Sequence, residues 1–192
     1  MPGDVNAVVL VIEDESEMIE MYRLYLEEYD VRGAVGGKEG LEAIDDDVDV
    51  VLLDRRMPEM PGSEVLEEIR ARGFDCRVVM VTAVDPDLDL LDMDFDAYLV
   101  KPVSRDDIQN VVERMLARTA FENRIQEMFS LASKLATLET KLDIEQLEQS
   151  EQYQQLVEEF TDHRQAAKQF DETQYYSDAT LSNIRSLLEE MQ

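Results

Sequence analysis

The chain is poor in several residue types, and each scarcity excludes something. It has one cysteine, Cys76, so no internal disulfide can form. No apolar run approaches the roughly 18 residues that suggest a membrane span, and the first residues lack the basic and long apolar segments of a secretion signal. We therefore expect a cytoplasmic protein with no membrane association, in which Cys76 is a small apolar residue beside a strand.

Basic residues are also scarce. Eighteen lysines and arginines stand against 45 aspartates and glutamates, which gives a formal net charge of −27. Such a surface repels itself in dilute salt, whereas about 1 M salt shortens the Debye length to roughly 3 Å and removes the repulsion. This composition is typical of proteins from extreme halophiles. Because the chain has no basic patch to neutralise phosphates, the composition also disfavours direct DNA binding without excluding it.

Glycine and proline are missing from the last 90 residues, since the final members of each type are Gly73 and Pro102. A turn-rich compact part is therefore expected to precede a part that is nearly all helix. We place the boundary so that residues 1–118 form the first domain and residues 119–192 the second. Charge does not mark this boundary, because the two parts carry −18 and −9.

Strand and helix patterns alternate in the first part. The predicted strands lie near 7–12, 30–35, 49–53, 78–82 and 97–100. The predicted helices lie near 16–28, 38–45, 63–72, 87–92 and 105–117. Ser104, with Asp107 three residues later, predicts a capping box at the start of the last of these helices. Five such units with right-handed crossovers predict an α/β fold, a doubly wound five-stranded parallel sheet with helices on both faces.

Four polar residues come at or just after the ends of apolar strands. They are Asp14, Asp54, Thr82 and Lys101. Because the carboxyl ends of parallel strands meet at one edge of a sheet, these side chains are expected to converge where open α/β domains bind ligands. Three carboxylates, from Glu13, Asp14 and Asp54, would then lie within a few ångströms of one another. Such an arrangement is repulsive unless a hard cation such as Mg²⁺ binds among them.

These residues carry a family resemblance. The chain has Glu13-Asp14, Asp54 followed by RRMPEMPG, Thr82-Ala83, and Tyr98 three residues before Lys101-Pro102. This set, in this order, resembles the receiver domain of two-component response regulators over residues 7 to about 118. The resemblance implies a flavodoxin-like sheet in the strand order 2-1-3-4-5.

The resemblance also implies roles for the residues at the site. Asp54 is expected to accept a phosphoryl group from a sensor histidine kinase, with Lys101 and the Thr82 hydroxyl contacting that group. Asp14 and Asp54 would bind Mg²⁺ directly, Glu13 through water, and Arg56 through its backbone carbonyl. Thr82 and Tyr98 would then move together and alter the surface formed by the fourth helix, fifth strand and fifth helix.

Further expectations concern the lifetime of the phosphoryl group. Arg56 follows Asp54 by two residues, and Val84 follows Thr82 by two residues. In receivers, the residues at these two positions flank the path of the hydrolytic water. We expect Val84 to hinder water and Arg56 to engage the phosphoryl group. A second phosphate site at Gly36-Gly37-Lys38 is not expected, because Arg32 and Glu39 break the P-loop pattern. The chain is expected to be a signalling protein and not an enzyme in the ordinary sense.

The second part shows apolar residues at spacings of three and four, which predict helices that fold back near 143–151 or 171–178. It resembles the HalX-type module of haloarchaeal regulators over roughly 118 to 185, especially in FENRIQEMFSLASKLATLE. The single histidine, His163, is expected to be a solvated helix residue, not a relay phosphohistidine.

Three hypotheses stand for the output of this module. Phosphorylation changes what the helices bind, whether that is a second copy of the chain or a partner protein. Alternatively, the helices contact DNA or the transcription machinery. In the third hypothesis, the helices form a fixed homodimer and the receiver serves as a phosphate sink. The candidate surfaces for any homodimer are the C-terminal helices and the receiver face.

Overall fold

The computed structural model describes residues 7–83 and 93–169. The strands are β1 Val8–Glu13, β2 Asp30–Val35, β3 Val48–Leu53, β4 Arg77–Thr82 and β5 Ala97–Val100. The helices are α1 Ser16–Tyr25, α2 Gly37–Ala43, α3 Gly62–Ala71, α4 Arg105–Lys141, α5 Ile144–Glu148 and α6 Glu151–Gln169. Within these residues, no helix is both long and apolar enough to cross a bilayer.

The five strands form one sheet in the order β2-β1-β3-β4-β5, and every neighbouring pair is parallel. This confirms the predicted α/β fold and its strand order. The sheet has helices on both faces, which explains why its inner strands are continuous apolar runs instead of alternating ones.

Consecutive residues of each strand supply opposite cores. Ile12, Leu53 and Met80 belong to the core beneath α2 and α3. Val11, Leu52 and Val81 belong to the core beneath α1 and the first turns of α4. Because a strand alternates its side chains, both faces are closed by apolar packing and only the strand ends remain for polar chemistry.

The predicted strands and the first three predicted helices agree with the observed ones to within a few residues, whereas the helix predicted near 105–117 continues to Lys141. The capping box is confirmed, since Ser104 N–H donates to Asp107 Oδ2 at 2.9 Å and Asp107 N–H donates to Ser104 Oγ at 3.2 Å. The helix predicted near 87–92 lies outside the described residues. Cys76 is free and buried, and burial is the main reason that its pKa is raised.

Contacts divide the chain into two compact units, Met1–Leu116 and Ala117–Gln192. In the second unit, α4 ends at Lys141 and α6 runs back along it after the short α5. Phe121, Met128 and Ala167 are buried together there, and the Tyr153 hydroxyl donates to Glu139 Oε1 at 2.7 Å.

The reversal between α4 and α6 falls where one of the two predicted turns was expected, near 143–151. The other predicted turn, near 171–178, lies outside the described residues. His163 differs from the solvated residue that was expected. Its side chain is 29% exposed, and its Nδ1 lies 3.4 Å from Glu127 Oε2.

Candidate functional site

The carboxyl edge of the sheet carries the polar residues predicted to meet. Backbone hydrogen bonds align the strand ends, since Asp54 N–H donates to Ile12 C=O at 3.0 Å and Lys101 N–H donates to Thr82 C=O at 2.8 Å. Each polar residue therefore leaves its strand at nearly the same level. The side chains gather because the parallel register brings four loops to one place.

Three carboxylates form the centre of the site. Glu13, Asp14 and Asp54 each offer an oxygen, and these oxygens lie within 4.8 Å of one another. Glu13 is 2% exposed and Asp54 is 6% exposed, so bulk water screens their mutual repulsion poorly. An all-oxygen set of this charge fits a hard cation such as Mg²⁺.

Lys101 is the cation that faces these acids. Its Nζ lies 2.6 Å from Glu13 Oε2 and 3.5 Å from Asp54 Oδ1. The lysine thus pairs more closely with Glu13 than with the residue expected to accept the phosphoryl group. The sequence could not reveal this preference, because it depends on side-chain positions and not on strand order.

Burial and the interactions between these side chains shift the pKa values of Glu13 and Lys101. Burial raises the pKa of Glu13 to about 7, although the hydrogen bond and charge of Lys101 act in the opposite direction. Burial tends to lower the pKa of Lys101, but the hydrogen bond that it donates to Glu13 and the nearby acidic charges outweigh this effect, so that pKa is raised. Lys101 therefore keeps its positive charge next to the carboxylates.

Asp54 is held by backbone groups on its C-terminal side. Arg56 N–H donates to Asp54 Oδ2 at 3.1 Å, while the Arg56 side chain is exposed. Gly62, the first residue of α3, packs against the Asp54 carbonyl so closely that a Cβ atom would overlap it. Glycine at this position lets α3 begin directly against the loop that carries Asp54.

The two residues assigned to the switch lie on neighbouring strands. Thr82, at the end of β4, is 1% exposed. Tyr98 pairs with Met80 in the register of β4 and β5, is half-buried, and lies with its ring 5.7 Å from that of Phe95. Val84, assigned to tuning, lies outside the described residues.

Sequence reasoning gave no role to one feature beside the acids. A cavity of about 270 Å³ opens next to Asp14 and is lined by both the β2–α2 and β3–α3 loops. Lys38 Nζ and Glu59 Oε2, one from each loop, lie 2.8 Å apart. The signal was the Gly36-Gly37-Lys38 run, which fails as a P-loop yet supplies a lysine at this edge of the sheet.

Comparisons with known proteins match both parts of the chain. The response regulator receiver domain model matches residues 9–113, and the HalX domain model matches residues 117–184. A "Putative transcriptional regulator" of Haloferax volcanii is 51% identical over 146 residues, which cover 75% of this chain but 25% of that protein.

Two further proteins are similar to more than half of the chain. Response regulator SaeR of Staphylococcus epidermidis is 26% identical over 148 residues, covering 73% of this chain and 65% of that protein. The crystal structure of response regulator TrrA from Thermotoga maritima, in complex with Mg²⁺-BeF, is 30% identical. It has a TM-score of 0.50 and covers 57% of this chain and 98% of that one.

The chain thus spans from a quarter to about two thirds of the length of these curated relatives. The receiver model covers more than half of the residues, and the structure has the strand order 2-1-3-4-5 and the acidic edge that the resemblance implied. The chain belongs to the response regulator receiver family, with a receiver domain followed by a HalX domain.

Proposed function

We propose that Asp54 accepts a phosphoryl group from a phosphohistidine of a sensor histidine kinase, in the presence of Mg²⁺. The supporting observation is the position of the Asp54 carboxylate, which has oxygens of Glu13 and Asp14 within 4.8 Å and the Lys101 ammonium 3.5 Å away. The similarity to a receiver structure that contains Mg²⁺-BeF supports the same assignment.

Mg²⁺ would be held by Asp14 and Asp54 directly, by Glu13 through water, and by the Arg56 carbonyl. When bound, it offsets the carboxylate charge and the charge that develops on the phosphoryl oxygens. The carboxylates position it, and the burial of Glu13 and Asp54 keeps competing water away. Because all the donors are oxygens, the site suits Mg²⁺ better than a soft metal.

In the transfer step, an Asp54 carboxylate oxygen forms a bond to phosphorus as the phosphorus–nitrogen bond of the donor breaks. The bonding electron pair leaves on the imidazole nitrogen, which then takes a proton. Lys101 neutralises charge on the phosphoryl oxygens, for which it must share its contact with Glu13. The Thr82 hydroxyl donates a hydrogen bond to the new group.

We propose that this bond drives a switch. Movement of Thr82 toward the phosphoryl group would pull the end of β4, and Tyr98 on β5 would turn further inward. Arg56 and Val84 would set the lifetime of the phosphoryl group. If Val84→Asn and Arg56→Ala both leave the dephosphorylation rate unchanged, the assignment of these two residues is wrong.

The outcome of the switch is proposed for the helical part, which we assign to residues 119–192 after a receiver at residues 1–118. In the leading proposal, phosphorylation changes which protein surface the helices bind, in the cytoplasm, where a kinase has access to ATP. The third output hypothesis is a fixed dimer with the receiver as a phosphate sink. It predicts that phosphorylation does not change what the helices bind.

Control of transcription is a second candidate, favoured by the description of the Haloferax relative as a "Putative transcriptional regulator". The −9 charge of residues 119–192 argues against a direct DNA contact and for an action through another protein. Under this proposal the chain does not retain DNA at the salt concentration of its own cytoplasm, with or without phosphorylation. Retention of DNA by the phosphorylated form alone would favour direct binding.

One experiment tests the phosphoacceptor assignment. The full chain, kept in molar salt with Mg²⁺ and acetyl phosphate, is expected to gain the mass of one phosphoryl group on Asp54. Asp54→Asn should gain none, and removing Mg²⁺ with a chelator should abolish the gain in the wild type. An unchanged wild-type mass, or a gain that persists in Asp54→Asn, contradicts the proposal.

A second experiment separates the output hypotheses. The mass of the full chain in solution is measured in high salt with and without BeF₃⁻, which mimics a phosphoryl group. A mass that changes only with the mimic supports the switch. A constant dimer mass supports the phosphate sink, and capture of partners by wild type but not by Asp54→Ala identifies an output through another protein.

A further inference from the structure

The cavity beside Asp14 has no role in the proposed reaction. The cavity of about 270 Å³ is bordered by Asp14, Gly36, Gly37, Lys38, Glu59 and Met60. Asp14 also belongs to the acidic cluster, so the cavity adjoins the carboxylates where phosphoryl transfer is proposed. Among the described residues that line it, Lys38 is the only cation.

Lys38 and Glu59 connect the two loops of this cavity. Their charged atoms are 2.8 Å apart, and their side chains are 68% and 72% exposed. Glu59 lines the cavity and adopts a left-handed backbone conformation with φ of 65°, which residues other than glycine seldom adopt. Exposed pairs of this kind contribute little to stability, so the ammonium can exchange its partner for another anion.

Negative charge at this edge of the sheet repels an incoming phosphodonor. The donor is an anion approaching three clustered carboxylates on a protein of net charge −27. The proposed Mg²⁺ would offset only part of this charge, and Lys101 is already engaged with Glu13. A second positive charge beside Asp14 would reduce that repulsion at contact distance, where even molar salt screens incompletely.

We propose that Lys38 is a positioning residue for small anionic phosphodonors of the acyl phosphate class, with Glu59 as the partner that it releases. This inference rests on the proposed function. In the reaction, an Asp54 carboxylate oxygen bonds to phosphorus, the bond from phosphorus to the acyl oxygen breaks, and the carboxylate leaves with the electron pair. Lys38 takes no part in bond making; it holds the donor anion beside Asp14.

The test compares two donors of different charge with the full chain in molar salt and Mg²⁺. Acetyl phosphate is a dianion near neutral pH, whereas phosphoramidate is a monoanion. Lys38→Gln is expected to slow labelling of Asp54 by acetyl phosphate roughly fivefold and labelling by phosphoramidate roughly twofold, because the lost attraction scales with donor charge. Lys38→Arg, which keeps the charge, should stay near the wild-type rate. Glu59→Gln should label faster because it frees Lys38.

A matched control removes one positive charge elsewhere. Arg32 pairs with Asp45 at 2.8 Å on the surface. Asp45 comes before the first residue of β3, whereas Asp54 follows the last one. Arg32→Gln should label at the wild-type rate with both donors. Mg²⁺ affinity, measured by calorimetry, should be unchanged or slightly higher in Lys38→Gln, because a repelling charge has been removed.

The outcomes separate this inference from the proposed function. If the wild type gains no phosphoryl group on Asp54, the proposed function fails and this inference fails with it. If the wild type is labelled and Lys38→Gln matches it with both donors, only the inference is wrong. Equal slowing of both donors by Lys38→Gln, or equal slowing by Arg32→Gln, also overturns it, since neither depends on donor charge at Lys38.

Discussion

Glu13 and Lys101 form the most enclosed ion pair of the site. Glu13 is 2% exposed, the Lys101 side chain is 17% exposed, and their charged atoms are 2.6 Å apart. Removing one member of such a pair leaves the other charge buried without compensation, whereas removing both does not. We therefore expect changes to Glu13 or Lys101 to alter the free energy of unfolding as well as the chemistry of the site.

Lys101→Met is expected to lower the free energy of unfolding by about 2–4 kcal/mol, because Glu13 then lacks its cation. The measurement is denaturant unfolding in molar salt. The double variant Glu13→Gln with Lys101→Met should lose less than the sum of the two single losses. Strict additivity would show that the two side chains do not interact in solution.

At the residue scale, the sequence predicted which side chains meet but not how they pair. Asp14, Asp54, Thr82 and Lys101 end parallel strands, and strand order alone brings them to one edge. The closer contact of Lys101 with Glu13 depends on side-chain conformations. The Lys38–Glu59 pair joins two loops separated by 21 positions, and no periodicity in the sequence predicts such a contact.

Asp96 ties three elements together at the opposite edge of the sheet. Its carboxylate accepts from Arg70 of α3 at 2.9 Å, from Arg77 of β4 at 2.9 Å, and from the N–H of Val78 at 2.9 Å. Its own N–H donates to Val78 C=O at 2.8 Å. This network fixes the start of β5 against β4.

Asp96→Ala should destabilise the receiver by about 2–4 kcal/mol, since it removes the largely buried carboxylate that accepts from Arg70, Arg77 and the N–H of Val78. Asp94 gives a matched control because it also pairs with Arg70, at 3.5 Å, but its side chain is 86% exposed, against 9% for Asp96. Asp94→Ala should cost less than about 0.5 kcal/mol. Equal losses in the two variants, measured by denaturant unfolding, would contradict this account.

In the second unit, the pairing of α4 with α6 depends on a small apolar cluster. Met128 is fully buried within it, whereas the next residue, Phe129, is 42% exposed. Met128→Ala should lower the stability of this unit by about 2–4 kcal/mol, because it opens a cavity between the helices. Phe129→Ala should change it by less than about 1 kcal/mol.

The measurement is the loss of helical circular dichroism on heating in molar salt. A melting temperature that falls more in Phe129→Ala than in Met128→Ala would mean that the helices pack through a different face.

At the element scale, periodicity predicted the strands and helices because each has a buried face that repeats. The apolar runs of β1, β3 and β4 are buried on both sides, which is why they were recognisable without alternation. The pattern of the tail predicted helices but left two turns open, because no glycine or proline marks either one.

For the whole molecule, charge sets the conditions of stability. With a net charge of −27, the folded chain concentrates more repulsion than the unfolded one, and salt relieves it. The melting temperature is therefore expected to rise steadily as KCl is increased from about 0.1 M to above 1 M, where the Debye length falls from roughly 10 Å to roughly 3 Å.

Sucrose provides the control, since it favours burial without screening charge. Sucrose that lowers water activity as much as the KCl should recover only part of the stabilisation. Full recovery by sucrose would show that exclusion of solute, and not screening, stabilises the chain.

β5 is only four residues long, yet both of its ends are fastened. Asp96, the residue before β5, pairs with Arg70 and Arg77. Lys101, the residue after β5, pairs with Glu13. A strand held at both ends is not expected to slide along β4 when the site is phosphorylated. Under the proposed switch, we therefore expect a change at the acidic edge to act through rotation of the Tyr98 ring, and not through sliding of β5.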